Sequence, residues 1–336
     1  MTTQPIALGS TDAKVASGRA VLRAFWAISP VMTLFWGMSA LYLLLGLAGL
    51  AFDGRQVLGQ PVWAKSTKFA LSFLLYAPTL LWVQTVTQVR PRLMRRILDL
   101  SAATLLVEMA LLMVQAFRGQ AMHFNVATPF DAALWTAMSI SIMVFYLANI
   151  VGFVLLLRQP LADPAFGWSL RLGMLLMMIG FGLGFLMTGP RPEQMALIHA
   201  GEQSPFIGGH TVGAPDGGPG APFLGWSRDH GDLRVAHFVG IHGAQFMALI
   251  GWLMLLATRR PRHSLRPGHR LAMVWGGFLS YLGLVALIAW QALRGQPLLQ
   301  PDRLTVSALA ALIALTGLWV GGVVWSAARS RGLVNA

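Results

Sequence analysis

Cysteine is absent from the 336 residues. That excludes disulfides, thiolate metal sites, iron–sulfur clusters and covalently attached c-type haem, and it leaves the compartment open. Any metal ion or haem b has to be held by histidine, methionine, carboxylate or backbone. Charge is also scarce, at 11% of residues against about a quarter in soluble domains. Lysine is scarcest, confined to Lys14, Lys65 and Lys68. What fills the chain instead is apolar side chains, 56% of the total. The composition is that of an all-α polytopic membrane protein whose first partner is the lipid bilayer.

The net charge of +13 would suggest nucleic acid in a soluble chain. Here the arginines cluster at the ends of apolar runs, where membrane topology and anionic headgroups account for them, so no nucleic-acid partner is expected. The 17 methionines fall mostly inside those runs, as packing or lipid-facing residues.

Crossing a bilayer takes about 20 apolar residues. Eight stretches qualify, at Val31–Phe52, Trp63–Val86, Ile97–Phe117, Ala132–Leu157, Ser169–Thr188, Val235–Ala257, Leu271–Leu293 and Leu304–Ala327. Residues 1–30 form an N-terminal segment in which Arg19–Ser29 reads as an amphipathic surface helix. No small-residue cleavage site precedes the first run, so a removed signal peptide is not expected. Residues 31–158 and 159–336 make two four-span halves, the second carrying a 189–234 loop.

Arginine sets the expected orientation. Arg90, Arg92, Arg95 and Arg96, then Arg158 and Arg171, then Arg259, Arg260, Arg262, Arg266 and Arg270, then Arg329 and Arg331 all fall on one side of an eight-span chain. Lys14, Arg19 and Arg23 join them. That side is expected to be cytoplasmic, in a bacterial inner membrane, with both termini inside and the 189–234 loop outside.

The third span ends QAFRGQ at Gln115–Gln120 and the seventh ends QALRGQ at Gln291–Gln296. A duplicated four-helix unit would produce this echo, and so would coincidence between two Gly/Arg-rich helix ends.

Chemistry-bearing residues concentrate toward the outer side. Six of the eight histidines fall there: His123, His199, His210, His230, His237 and His242. His263 and His269 sit in the basic loop, where solvation is their expected state. Imidazole is the usual metal or haem ligand and a proton carrier near neutral pH, so His237, His242, His210, His123 and His230 are the candidate ligands. His237 and His242 lie about 140° apart around a helix of 3.6 residues per turn, unlike the pair of an HExxH zinc site. His242 and Gln245 share a face. For either histidine alone, a hydrogen bond to a neighbouring helix is the plainer account.

Glu108 stands in mid-span, where a carboxyl is costly and marks function or an interhelix hydrogen bond. With Arg118 and Asp232 it makes the candidate catalytic set. Lys65 and Lys68 open the second span on the outer side, against the usual bias. With Gln115, Arg234 and Arg294 they form a candidate rim for an anionic or lipid-like substrate, or they snorkel to headgroups. GAPDGGPG supplies turns without the strand and helix of a phosphate loop. Gly180 and Gly184 form a GxxxG packing motif. Trp63, Trp135, Trp168 and Trp226 read as interfacial anchors.

Three segments, PVWAKSTKFALS at Pro61–Ser72, QAFRGQAMHFN at Gln115–Asn125 and GHTVGAPDGGPG through GDLRVAHFVGIHGAQ at Gly209–Gln245, resemble a family of bacterial multi-span inner-membrane proteins. The resemblance covers about a fifth of the chain directly and implies no activity. The four-plus-four layout is also similar to that of haem A synthases. Those carry histidine pairs on both halves, whereas the fourth and eighth spans here contain no histidine.

Three function classes follow. The first is a metal- or haem-dependent membrane redox or hydrolytic protein with an outward-facing histidine site. The second is a transporter of a small anion or lipid-like solute. The third is a non-catalytic subunit that docks a partner through the 189–234 loop and its Pro222–Trp226 run.

Overall fold

The chain is seen here in a computed structural model that describes residues 18–258 and 265–332. Lys14, Arg259, Arg260, Arg262, His263 and the side chain of Arg331 lie outside the described residues. Eight helical spans are long and apolar enough to cross a bilayer, in agreement with the sequence.

The described residues cluster into two units. The first draws on Met1–Arg55, Pro61–Gln120 and Thr136–Pro160. It contains α1 (Gly18–Ile28), α2 (Pro30–Phe52), α3 (Ala64–Thr85), α4 (Pro91–Arg118) and most of α5 (Pro129–Leu157). The second draws on Gln56–Gln60, Ala121–Trp135 and Leu161–Ala336. It contains α6 (Pro164–Gly184), a 3-10 turn at Phe185–Met187, α7 (Pro192–His199), α8 (Leu233–Ile241), α9 (Gly243–Ala257), α10 (Pro267–Leu293) and α11 (Arg303–Gly332).

Prolines start many of these helices because the first turn has no use for their missing N–H; Pro30, Pro91, Pro164, Pro192 and Pro267 all sit there. α4 therefore begins six residues before the expected third span, and Arg92, Arg95 and Arg96 are helical rather than in a loop. Side-chain caps come from Ser29 on Met32, Asp163 on Phe166 and Asp232 on Arg234. α1 covers most of the segment read as an amphipathic helix and has no buried residue.

In the first unit α2 packs on α3 through its glycines. A Cβ at Gly46 would collide with Thr67, and one at Gly49 with the Trp63 ring. Pro78 interrupts α3 and cannot donate to the Leu74 carbonyl one turn back. The Trp36 indole N–H from α2 takes that carbonyl at 3.2 Å. Trp63 itself is 6% exposed, and its indole donates to Asp53 Oδ2 at 2.7 Å, so it is a core residue and not an interfacial anchor.

In the second unit small residues again permit close contact. A Cβ at Gly180 on α6 would strike the backbone of Gly240 and Ile241, and one at Gly243 would strike Leu176. The expected GxxxG packing is thus present. At the start of α10 the guanidinium of Arg270, 6% exposed, donates to Asp163 at 2.5 Å and ties α10 to the first turn of α6. α11 joins α10 through Ser280–Thr316 at 2.7 Å and the Trp319 indole on Ala272 O at 2.9 Å.

The sixth span was expected to be one helix, and here it is two. α8 ends at Ile241, His242 takes φ −81° and ψ 0°, and α9 begins at Gly243. The Val239 carbonyl at this break accepts His242 N–H at 3.2 Å and the Tyr281 hydroxyl at 2.6 Å. Glycines on both sides of His242 explain why the helix yields there.

The echoed hexapeptides end α4 and α10 in the same way. Gly119 has φ +67° and Gly295 φ +72°. Gln120 N–H bonds Gln115 O at 3.0 Å and Gly119 N–H bonds Ala116 O at 3.1 Å; the matching bonds at Gln296 and Gly295 are 3.2 and 2.9 Å. This is a Schellman cap, which needs a residue that tolerates positive φ after the last turn. A shared helix-ending motif is sufficient cause for the echo.

Candidate functional site

The loop before α8 is built around carboxylates. β3 (Thr211–Val212) pairs antiparallel with β4 (Gly231–Asp232). Asp216 accepts the amides of His210 at 3.0 Å and Thr211 at 2.8 Å, and the His210 Nδ1 at 2.6 Å. Burial pushes the Asp216 carboxyl up, but the hydrogen bond and charge of His210, with those amides, outweigh it and hold the group well below the usual carboxylate range.

A second support comes from α7. Gln194 accepts from Gly208 N–H at 2.9 Å and donates to Gly208 O at 2.8 Å, while the Arg191 guanidinium donates to Gly209 O. Gly208, at φ +104°, fits where a side chain would meet Met187 O and the Phe124 ring. Residues 124–126 pair with 205–207 through Ile207 N–H to Phe124 O and Val126 N–H to Pro205 O, both 2.9 Å. Neither Arg191 nor Gln194 was singled out by sequence; the only signal was their position after Pro190 in a polar run.

Asp232, 2% exposed, accepts from Ser227 N–H at 2.8 Å and from the Arg234 guanidinium at 2.6 Å. Arg234 also donates to Gly225 O at 2.5 Å. Asp232 and Arg234 thus meet each other, closing the loop onto α8. In the Pro222–Trp226 run Phe223 is 46% exposed, whereas the Trp226 ring turns to Phe238 with centroids 6.1 Å apart.

The histidines divide between two places. His210 stacks edgewise on Phe124 at 5.2 Å, and His123 packs on Trp135 at 5.6 Å. His237 Nδ1 is 2.8 Å from the carbonyl oxygen of Gly180. A carbonyl only accepts, so Nδ1 carries the proton and Nε2 the lone pair. Gly184 makes room, since a Cβ there would come within 3.2 Å of the His237 ring. His242, at the helix break, lies 4.6 Å from the Phe238 ring centroid and within side-chain interaction range of Gln245, the pair expected to share a face. His230 borders the loop near Gly213, and His199 is exposed at the end of α7. Among the described residues no three His, Asp or Glu side chains converge so as to hold a metal ion. The five candidate ligands are split because Asp216 draws His210 into the loop while the helix break places His237 and His242 below it.

The remaining candidates lie in the first unit, apart from Arg294. Lys65 and Lys68 are half-buried in the first two turns of α3. Trp63 packs edge-on against Phe117 at 5.0 Å, which brings the start of α3 level with the end of α4. Glu108 and Gln115 are each 1% exposed, and Arg118 donates to Gln115 Oε1 at 2.5 Å. Arg55, which the sequence did not flag, reaches the same end and donates to Phe117 O at 3.0 Å. Its guanidinium, and after it the Trp63 indole, hold the Asp53 carboxyl below the usual range. Arg294, in the second unit, pairs with Asp302, bonds Thr305 at 3.2 Å and covers the Trp290 ring at 4.5 Å.

Comparison with protein-family models, with curated proteins and with solved structures gives no match.

Proposed function

We propose that this integral membrane protein is a proton-coupled carrier of a small anionic or lipid-like solute, with His237 and His242 as its proton-handling groups. The observation that supports this most is the break in the sixth span, flanked by both histidines. Discontinuous helices are a common setting for solute sites in carriers, and ionisable residues beside them mark proton relays. The bond from His237 to Gly180 O leaves Nε2 basic and fixed in direction. In this reading the bilayer is a bacterial inner membrane, the arginine-rich ends are cytoplasmic, and the 189–234 loop faces outward. A reporter fused between residues 258 and 265 would then read as cytoplasmic.

The test is electrical. Proteoliposomes on a solid-supported membrane are challenged with small carboxylates, inorganic phosphate and short-chain phospholipid. A pH-dependent current that disappears in a folded His237→Gln protein is the expected result. Silence across the panel from folded protein overturns the carrier.

A second reading keeps a haem b or metal-dependent redox or hydrolytic role. It is favoured by the same His237–Gly180 contact, because ligating histidines commonly donate their other ring N–H to a carbonyl. Visible absorption and elemental content of protein purified without a histidine tag decide it.

A further inference from the structure

The first unit holds a line of polar groups that the histidine site does not use. On α4, Ser101, Thr104, Glu108 and Gln115 recur at offsets of 3, 7 and 14, which puts all four within about 60° of one face. All are buried, at 0%, 9%, 1% and 1% exposure. They run about 21 Å along a helix rising 1.5 Å per residue, most of a hydrocarbon core about 30 Å thick.

Neighbouring helices extend the line. Tyr76 of α3 donates to Asn149 Oδ1 of α5 at 3.4 Å, and Asn149 Nδ2 donates to Ser101 Oγ at 3.2 Å. Thr104 Oγ1 donates to Ser101 O at 2.9 Å, and Ser141 of α5 donates to Thr104 O at 2.8 Å. Apolar helices need none of these groups merely to pack, and each is costly in hydrocarbon unless it serves a path or a fixed contact.

From this alignment we infer that Glu108 is a proton-exchanging carboxyl, reached through the hydroxyl and amide groups of Tyr76, Asn149, Ser101 and Thr104. The proton arrives at one carboxylate oxygen of Glu108 and leaves from it; no other bond changes. On the Gln115 side Leu112, 1% exposed, occupies the intervening turn, so the nearest polar positions on this face are Thr104 and Ser101, on the side of Tyr76 and Asn149. The ionisable groups on the helices packed around Glu108 are Lys65, Lys68 and Tyr76 on α3, Arg118 and the distant Arg92, Arg95, Arg96 and Asp99 on α4, Tyr42 on α2, and Tyr146 on the α5 segment of this unit. The inference rests on the carrier reading and adds to its two histidines a further proton-exchanging group in the first unit, and its test needs no transport.

Dicyclohexylcarbodiimide enters membranes and adds to carboxyls that carry a proton. The full-length protein in vesicles is treated across a pH series, and labelled peptides are read by mass spectrometry. One carbodiimide should appear on Glu108, faster as pH falls, and labelling should slow severalfold in Asn149→Leu and Ser101→Ala. Absence of label at every pH, or a rate indifferent to pH and to both variants, overturns the proposal. Label without any solute current leaves the proton site standing and removes the carrier; current without label does the reverse.

Discussion

Gly184 and His237 fit each other: the glycine has no side chain at the point where the imidazole of His237 turns to reach the Gly180 carbonyl. One GxxxG pair therefore does two things. Gly180 lets α8 approach α6 and supplies the acceptor, and Gly184 gives the ring its space. Gly184→Ala puts a methyl 3.2 Å from the ring, slightly inside ordinary contact, and it should shift the His237 imidazole resonances while leaving the fold intact. Unchanged resonances in isotope-labelled protein would detach the glycine from the histidine.

Gly180→Ala should act on stability instead. Its methyl meets main chain, which cannot swing aside, and overpacking of this kind costs about 1–3 kcal/mol. Gly317→Ala, in a part of α11 with nothing within 4 Å, should be neutral. Thermal unfolding in detergent compares them directly.

Tyr281→Phe removes the hydroxyl that holds the Val239 carbonyl at the helix break. A single hydrogen bond of this sort is worth about 1 kcal/mol. A lowered melting temperature, with faster amide exchange around residues 239–243, is the expected pattern.

In the Asp163–Arg270 pair the arginine is buried and the aspartate partly so. Breaking it from one side leaves a partly buried charge, so Arg270→Met should destabilise, by less than the roughly 3–5 kcal/mol of a fully buried pair. Adding Asp163→Asn should recover part of that loss. Additive losses in the double variant would mean the two do not interact.

Asp216 gives the loop a pH dependence of definite sign. Its folded carboxyl lies below the unfolded value of 3.8, so the stabilisation is complete above that pH and disappears as pH falls through the lower, folded value. The amides of His210 and Thr211 should stay protected from exchange down through mild acid and open only in strong acid. Asp216→Asn should expose them already at neutral pH.

Hydropathy made the eight spans legible, because apolar length is a property of local sequence. The break at His242 was not, since Gly240 and Gly243 meet Gly180 and Leu176, and Tyr281 takes the Val239 carbonyl, only once α6 and α10 are in place. Asp232 and Arg234 drew attention as polar residues near a span, yet their mutual pairing depends on where Gly225 and Ser227 come to rest. Arg191 and Gln194 left almost no trace in the sequence, because their partners are backbone atoms of a distant loop. Glu108 was conspicuous as a carboxyl in an apolar run. Its alignment with Asn149 and Tyr76 required three helices to be placed.

The pairing of residues 124–126 with 205–207 also sets an order of events during biosynthesis. The earlier segment leaves the ribosome some eighty residues ahead of its partner, with the whole of α5 and α6 still to be made. Until the later strand of chain arrives, the backbone groups at Phe124 and Val126 have water as their only company. The pairing therefore cannot close before residue 207 is made, and a nascent chain arrested near residue 200 would be cut at residues 124–126 by a protease that spares the finished protein.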